Sequence, residues 1–153
     1  MDSKNVDQNS LTSLILLNGN GSERAKSLDR KISEILKTEK LEMVDSASNF
    51  KGFTQYLHDS DEEFVDIQYY FGGENVSAVN LDVYLNDVTD VKNLMHDLTL
   101  IFNEKYGKAK LKDEIYTWKM PDKQQVTMKD VSLKLAPGLQ ITFSKLGQNL
   151  PIQ

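Results

Sequence analysis

Apolar and polar residues change period several times along this chain, and each change marks an element. The sharpest case is the stretch in which Val65, Ile67, Tyr69 and Phe71 alternate with Phe64, Asp66, Gln68 and Tyr70. A two-residue period is that of a strand with unlike faces. Gly72-Gly73 and Glu74-Asn75 supply a turn, after which Val79, Leu81, Val83 and Leu85 alternate with Ala78, Asn80, Asp82 and Tyr84. The pattern predicts an antiparallel hairpin, one face apolar and the other polar. With Gly72 to Val76 as its loop, Asp66 and Asp82 stand opposite one another.

Helical spacing occurs twice. Ala25, Leu28, Ile32, Ile35 and Leu36 fall on one stripe, predicting a helix capped by Ser22 and running to about Lys37. Val91, Leu94, Met95, Leu98, Ile101, Phe102 and Tyr106 form the stripe of a second, main core helix. Asp87 or Thr89 caps its start and Gly107 stops it in the manner of a left-handed C-cap. Ser13 to Leu17 reads as a short buried strand ended by Asn18-Gly19-Asn20-Gly21. Residues 48–58 fit both periods; Gly52 weakens a helix and Tyr56 favours a strand, which is the reading adopted.

Beyond a lysine-rich connection, Tyr116, Trp118 and Met120 alternate up to the turn at Pro121-Asp122. Val126 and Met128 share one face; Val131, Leu133 and Leu135 resume it one residue out of step, predicting a bulge near Lys129-Asp130. Ala136-Pro137-Gly138 turns the chain, and Leu139, Ile141 and Phe143 run back. The sum is a single α+β domain over residues 11–147, an antiparallel sheet of about six strands with two helices packed on one face. Residues 1–10 read as a flexible leader and 148–153 as a frayed C-terminus. The two halves repeat a helix-then-strands order.

Composition narrows the function. The chain has 153 residues, a net charge of −5 and no cysteine. Excess negative charge argues against nucleic acid and anionic membrane surfaces, which require basic footprints. Without cysteine there is no disulfide, thiolate metal site or cysteine nucleophile. No stretch approaches the roughly 18 apolar residues of a membrane-spanning helix. No cofactor is implied.

Candidate chemistry is sparse. Asn18-Gly-Asn-Gly-Ser22 ahead of a helix resembles an anion cradle, but the Gly-Lys-Ser/Thr of a phosphate loop is absent, and a turn followed by a cap explains it. His58, Asp59, Asp61, Glu62 and Glu63 offer hard ligands without the offsets of a calcium loop, so a solvated acidic loop is expected. His96 lacks a nucleophile motif to partner it. Asp66 facing Asp82 would suit acid/base work only inside a desolvating pocket. Lys105, Lys108, Lys110 and Lys112 read as a solvated basic loop, and Asn75-Val76-Ser77 matches a glycosylation acceptor.

The strand Val79-Asn-Leu-Asp-Val-Tyr-Leu85, the helix end Asn103-Glu-Lys-Tyr-Gly107 and Thr117-Trp118 before a terminal hairpin resemble small secreted or lipid-anchored bacterial domains. Asn20-Gly-Ser22 and Phe50-Lys-Gly-Phe53 fall where that pattern has its Gly-Ser helix start and glycine-bearing strand. The helix-then-strands order is similar to the repeat of the β-lactamase inhibitor protein and its outer-membrane lipoprotein relatives. The resemblance implies a binding or assembly module, not an enzyme, in an extracytoplasmic setting.

Phe64, Gln68, Tyr70, Asn80, Tyr84, Thr127, Gln140 and Thr142 are expected on the sheet face turned away from the helices. Phenols set among amides and hydroxyls can bind a protein partner without collapsing in water. Two alternatives stay open: a ligand-binding or hydrolase-like protein with its site between helix and sheet, and a cytoplasmic partner-binding protein such as a chaperone or immunity protein.

Overall fold

The structure is a computed structural model that describes residues 11–18, 21–57, 60–132 and 136–146. Its centre is one eight-stranded, wholly antiparallel sheet. The strands are β1 (Met43–Ala47), β2 (Phe50–Leu57), β3 (Ser60–Gly72), β4 (Asn75–Tyr84), β5 (Lys110–Lys112), β6 (Ile115–Met120), β7 (Gln124–Asp130) and β8 (Gly138–Lys145). They lie in the order β1-β2-β3-β4-β8-β7-β6-β5. Each half is a four-stranded meander, and the halves join where β4 pairs with β8 from Ala78↔Ser144 to Tyr84↔Gly138. Exchanging each strand with the one four places along leaves the order unchanged.

Helical segments precede each meander: α1 (residues 11–16), a 3-10 turn at Arg24–Ser27 and α2 (Ile32–Thr38) before the first, α3 (Val88–Tyr106) before the second. Alternation explains the core. Val65, Ile67 and Tyr69 of β3, Val79, Leu81 and Val83 of β4, and Leu139, Ile141 and Phe143 of β8 are buried with Val91, Leu94, Leu98 and Phe102 of α3. Asp87 Oδ1 accepts the Thr89 N–H at 2.8 Å, the expected cap of α3. Gly107 ends α3 at φ +92°, where its N–H donates to the Asn103 carbonyl at 2.9 Å. Its ψ of −176° is extended, so the stop is a glycine-dependent turn outside the left-handed helical region.

Several expectations are corrected. The sheet has eight strands, not about six. Three helices, not two, are present among the described residues. Residues 11–16 are helical, not a strand, because a short run of leucines and isoleucine fits either period and here buries Leu11 and Ile15 against the core. The helix expected from Ser22 to Lys37 is broken. Asp29 takes φ +68°, which a helix cannot continue through. The following segment is stapled to the β3–β4 turn by Asp29 N–H to Val76 O, Val76 N–H to Arg30 O and Ile32 N–H to Glu74 O. Ser22 caps nothing; the residue preceding the 3-10 turn is Glu23, without a side-chain cap. The expected bulge near Lys129-Asp130 is absent, since β7 stays in register with β8 through Asp130↔Leu139 and ends there. Residues 48–58 contain β2, as the strand reading expects, and the lysine-rich connection contains the short edge strand β5. Leader residues 1–10 and residues 148–153 lie outside the described residues, as do Leu133 and Leu135.

Candidate functional site: the polar face of the sheet

The registers of β3, β4, β8 and β7 bring all eight of the residues singled out by alternation to one face. Phe64, Gln68 and Tyr70 oppose Tyr84, Asn80 and Ala78; Asn80 opposes Thr142, which in turn opposes Thr127, and Asp82 opposes Gln140. The neighbours on each strand are core residues, so these side chains point away from α3. Asp66 and Asp82 are cross-strand partners, as expected, but the loop is not Gly72 to Val76: Phe71 pairs with Val76 and Gly72 with Asn75, and a register shift between Tyr70 and Phe71 restores the 66–82 pairing.

Hydrogen bonds lock the middle of this face. Thr54 Oγ1 donates to Asp66 Oδ1 at 2.7 Å, and Gln140 Nε2 to Asp82 Oδ1 at 3.1 Å. Asn80 Nδ2 donates to Gln68 Oε1 at 2.8 Å while Thr142 Oγ1 donates to Asn80 Oδ1 at 2.7 Å. Asn80 and Thr142 are 0% and 5% exposed. They are therefore the floor of the face, with their polar groups satisfied by its neighbours. Gln68, Tyr70, Tyr84, Phe64, Thr127 and Gln140 are half-buried and form its surface.

Aromatic rings flank the polar middle on both sides. Tyr56, Phe64 and Tyr84 form a ladder across β2, β3 and β4, with centroids 6.1 and 4.9 Å apart. Phe50 and Tyr70 pair at 5.6 Å toward the other end of the strands. Tyr56 is 61% exposed, unusually open for so large a ring. Sequence reasoning missed Tyr56 and Phe50; continuing the alternation Phe50, Gly52, Thr54, Tyr56 onto the hairpin's polar face would have found them.

Burial pushes the Asp82 carboxyl up, the Gln140 and Asn80 hydrogen bonds pull it down, and the Asp66 charge adds a smaller upward push. Burial likewise raises the Tyr70 and Tyr84 phenols, with Asp82 adding to both. Acid/base catalysis by the carboxylate pair needs a cavity around it. A cleft of about 340 Å³ lies between the 3-10 turn, the end of α3 and the β6–β7 turn, and another of about 410 Å³ beside Met95 and Tyr116. Neither includes Asp66, Asp82 or His96. Glu23 pairs with both Lys26 and Lys105 at the first cleft, so its charges are internally matched.

The remaining candidates do not assemble. His96 is exposed on α3. His58 and Asp59 lie outside the described residues, and no group of three or more metal-ligating side chains exists among the described ones. Gly19 and Asn20 also lie outside them; Ser22 N–H donates to Asn18 Oδ1 at 3.1 Å, a closed turn. Lys110 and Lys112, expected in a loop, stand on β5 with Thr117 and Ile115 as partners, on the polar face.

One buried constellation had no sequence signal. Arg24 Nη1 donates to Tyr69 Oη at 2.9 Å, Tyr69 Oη donates to Glu39 Oε1 at 3.2 Å, and Arg24 Nη1 lies 3.6 Å from Glu39 Oε1. The Arg24 and Glu39 side chains are 1% and 2% exposed. Fold and site together define an α+β domain carrying a structured polar sheet face. No protein-family model matches the chain, and neither a curated protein nor a solved structure matches it.

Proposed function

We propose that the chain is a non-enzymatic binding module whose polar sheet face engages a protein partner. The observation that carries this is the ladder Tyr56–Phe64–Tyr84 beside a hydrogen-bonded floor. Rings held by cross-strand neighbours lose little rotamer freedom on binding, and their area supplies the apolar contact. The amides and hydroxyls between them are already oriented, so a partner meets fixed donors and acceptors. Resemblance to secreted binding and assembly domains supports the same role in an extracytoplasmic setting.

A pull-down from cells of the source organism tests the reading, comparing wild type with a Tyr70→Ala/Tyr84→Ala variant and a Tyr56→Ala variant. Loss of a partner from the variants, with unchanged circular dichroism, is expected. Equal recovery of every bound protein by all three chains removes the sheet face as the binding surface.

A further inference from the structure

Charge on the polar face is divided by strand. Face positions of β1–β4 carry the carboxylates Asp45, Asp66 and Asp82 and no lysine or arginine. The corresponding positions of β5–β8 carry Lys110, Lys112, Lys119 and Lys129 and no carboxylate. All four lysines and Asp45 are exposed. The seam between the two fields is the β4–β8 pair at the centre of the sheet.

The registers make the division symmetrical about that seam. Asp66 pairs with Asp82, Asp82 with Gln140 and Gln140 with Lys129, so Asp66 on β3 and Lys129 on β7 share one row at equal distances from it. A second row runs from Asp45 through Gly52, Gln68, Asn80, Thr142, Thr127 and Thr117 to Lys110, placing opposite charges on the two outermost strands. In a third row Phe50 on β2 is matched by Lys119 on β6.

We propose that this face pairs with the same face of a second copy, about a two-fold axis lying along the β4–β8 seam. The proposal rests on the reading that the polar face is the binding surface, and names its occupant. Rotation about such an axis keeps every residue in its row and exchanges the halves. It lays Asp66 over the partner copy's Lys129, Asp45 over Lys110 and the Phe50 ring over Lys119, each contact made twice. That is the self-complementarity an isologous interface requires. A cation over a ring adds to the charge pairs. Area is sufficient: eight strands ~4.8 Å apart and ~7 residues long at ~3.3 Å each cover roughly 800 Å², about one partner's share of a standard interface.

The test uses the full chain, with mass measured by sedimentation from low micromolar to the highest soluble concentration, at low and high ionic strength. Wild type is expected to dimerise, more weakly in salt. Lys110→Glu/Lys129→Glu sets carboxylates opposite Asp45 and Asp66 of the second copy, and Asp45→Lys/Asp66→Lys sets lysines opposite Lys110 and Lys129. Each variant is expected to weaken self-association ~100-fold or more, the scale of like charges set opposite one another. An equimolar mixture is expected to restore a two-chain species, which native mass spectrometry resolves as one of each. Should either double variant lose its circular dichroism, the single exposed edge changes Lys110→Glu and Asp45→Lys are mixed in the same way. A monomeric wild type, or variants that dimerise as it does, overturns the proposal. A photo-crosslinker at Gln125 in a source-cell extract separates the two readings. A two-chain product supports both; a product with another protein alone leaves the face as a binding surface and sinks the second copy; no product sinks both.

Discussion

Replacing Arg24 by methionine strips one charge from a site that water does not reach. The guanidinium is 1% exposed and the Glu39 carboxylate 2%, with Tyr69 Oη hydrogen-bonded to both. After Arg24→Met the carboxylate keeps the phenol at 3.2 Å and the Lys40 N–H at 3.1 Å, both neutral donors, and loses its one cationic neighbour among the described residues. An uncompensated buried charge of this kind costs about 3–5 kcal/mol. Arg24 Nε has no hydrogen-bond partner among the described residues, so the native triad is itself imperfectly satisfied. Exchanging all three groups at once, as Arg24→Met/Glu39→Leu/Tyr69→Phe, is therefore expected to leave stability near or above wild type, by up to ~4 kcal/mol. Urea unfolding with linear extrapolation measures both variants. A single variant within ~1 kcal/mol of wild type, or a triple variant as unstable as the single one, would refute the reasoning. The phenol supplies an independent check. Burial, opposed in part by Arg24, pushes the Tyr69 pKa up from 10.0 to about 12. The folded state thus favours the neutral phenol, and stability falls as pH rises from 10 toward 12, by roughly 3 kcal/mol for a two-unit shift. Tyr69→Phe should lose that contribution and keep only the smaller alkaline fall due to the other raised phenols.

Other consequences of the geometry can be checked alongside. Because burial raises Asp82 above its ordinary 3.8, the folded state takes up a proton before the unfolded chain does, and wild type should gain stability relative to Asp82→Asn as pH falls toward 3.8 in urea titrations. A gain with rising pH would contradict the burial argument. Phe102 is 2% exposed, with its ring 5.0 Å from Trp118 and 6.1 Å from Phe143; Phe102→Ala should cost about 3–5 kcal/mol in the same assay. Asp87→Ala removes the cap of α3 and should cost ~1 kcal/mol, visible as a lower thermal midpoint with unchanged sheet signal.

Legibility from sequence followed the length and regularity of each pattern. The β3–β4 hairpin, its 66–82 register and both ends of α3 were readable because alternation, turn glycines and a cap all pointed one way. Residues 11–16 were not, since Leu11, Leu14, Ile15 and Leu16 bury equally well as a helix or a strand end. The Ala25-to-Leu36 stripe is consistent with one long helix and equally with two short pieces. Only tertiary bonds to the β3–β4 turn, and Asp29 at φ +68°, decide between them. Lys110-Leu111-Lys112 is too short and polar to announce an edge strand, so two of the four lysines of the sheet face were hidden within a loop reading. Asp66 and Asp82 were legible on the polar face from the hairpin's alternation, whereas Phe50, Thr54 and Tyr56 reach it through β2, whose pattern fits both periods. The Arg24–Tyr69–Glu39 contact joins three distant positions, and no local spacing encodes it.

The seam between β4 and β8 also sets an order of events during synthesis. Tyr84 pairs with Gly138 and Ala78 with Ser144, so the hydrogen-bonding edge of β4 is finished 54 to 66 residues before its neighbour exists. At translation rates of about 5–20 residues per second this edge waits for several seconds. During that time it is a template open to any extended chain, including another nascent copy. The first meander must therefore rely on its own turns and on the 3-10 turn and α2 to stay closed until the last strand arrives.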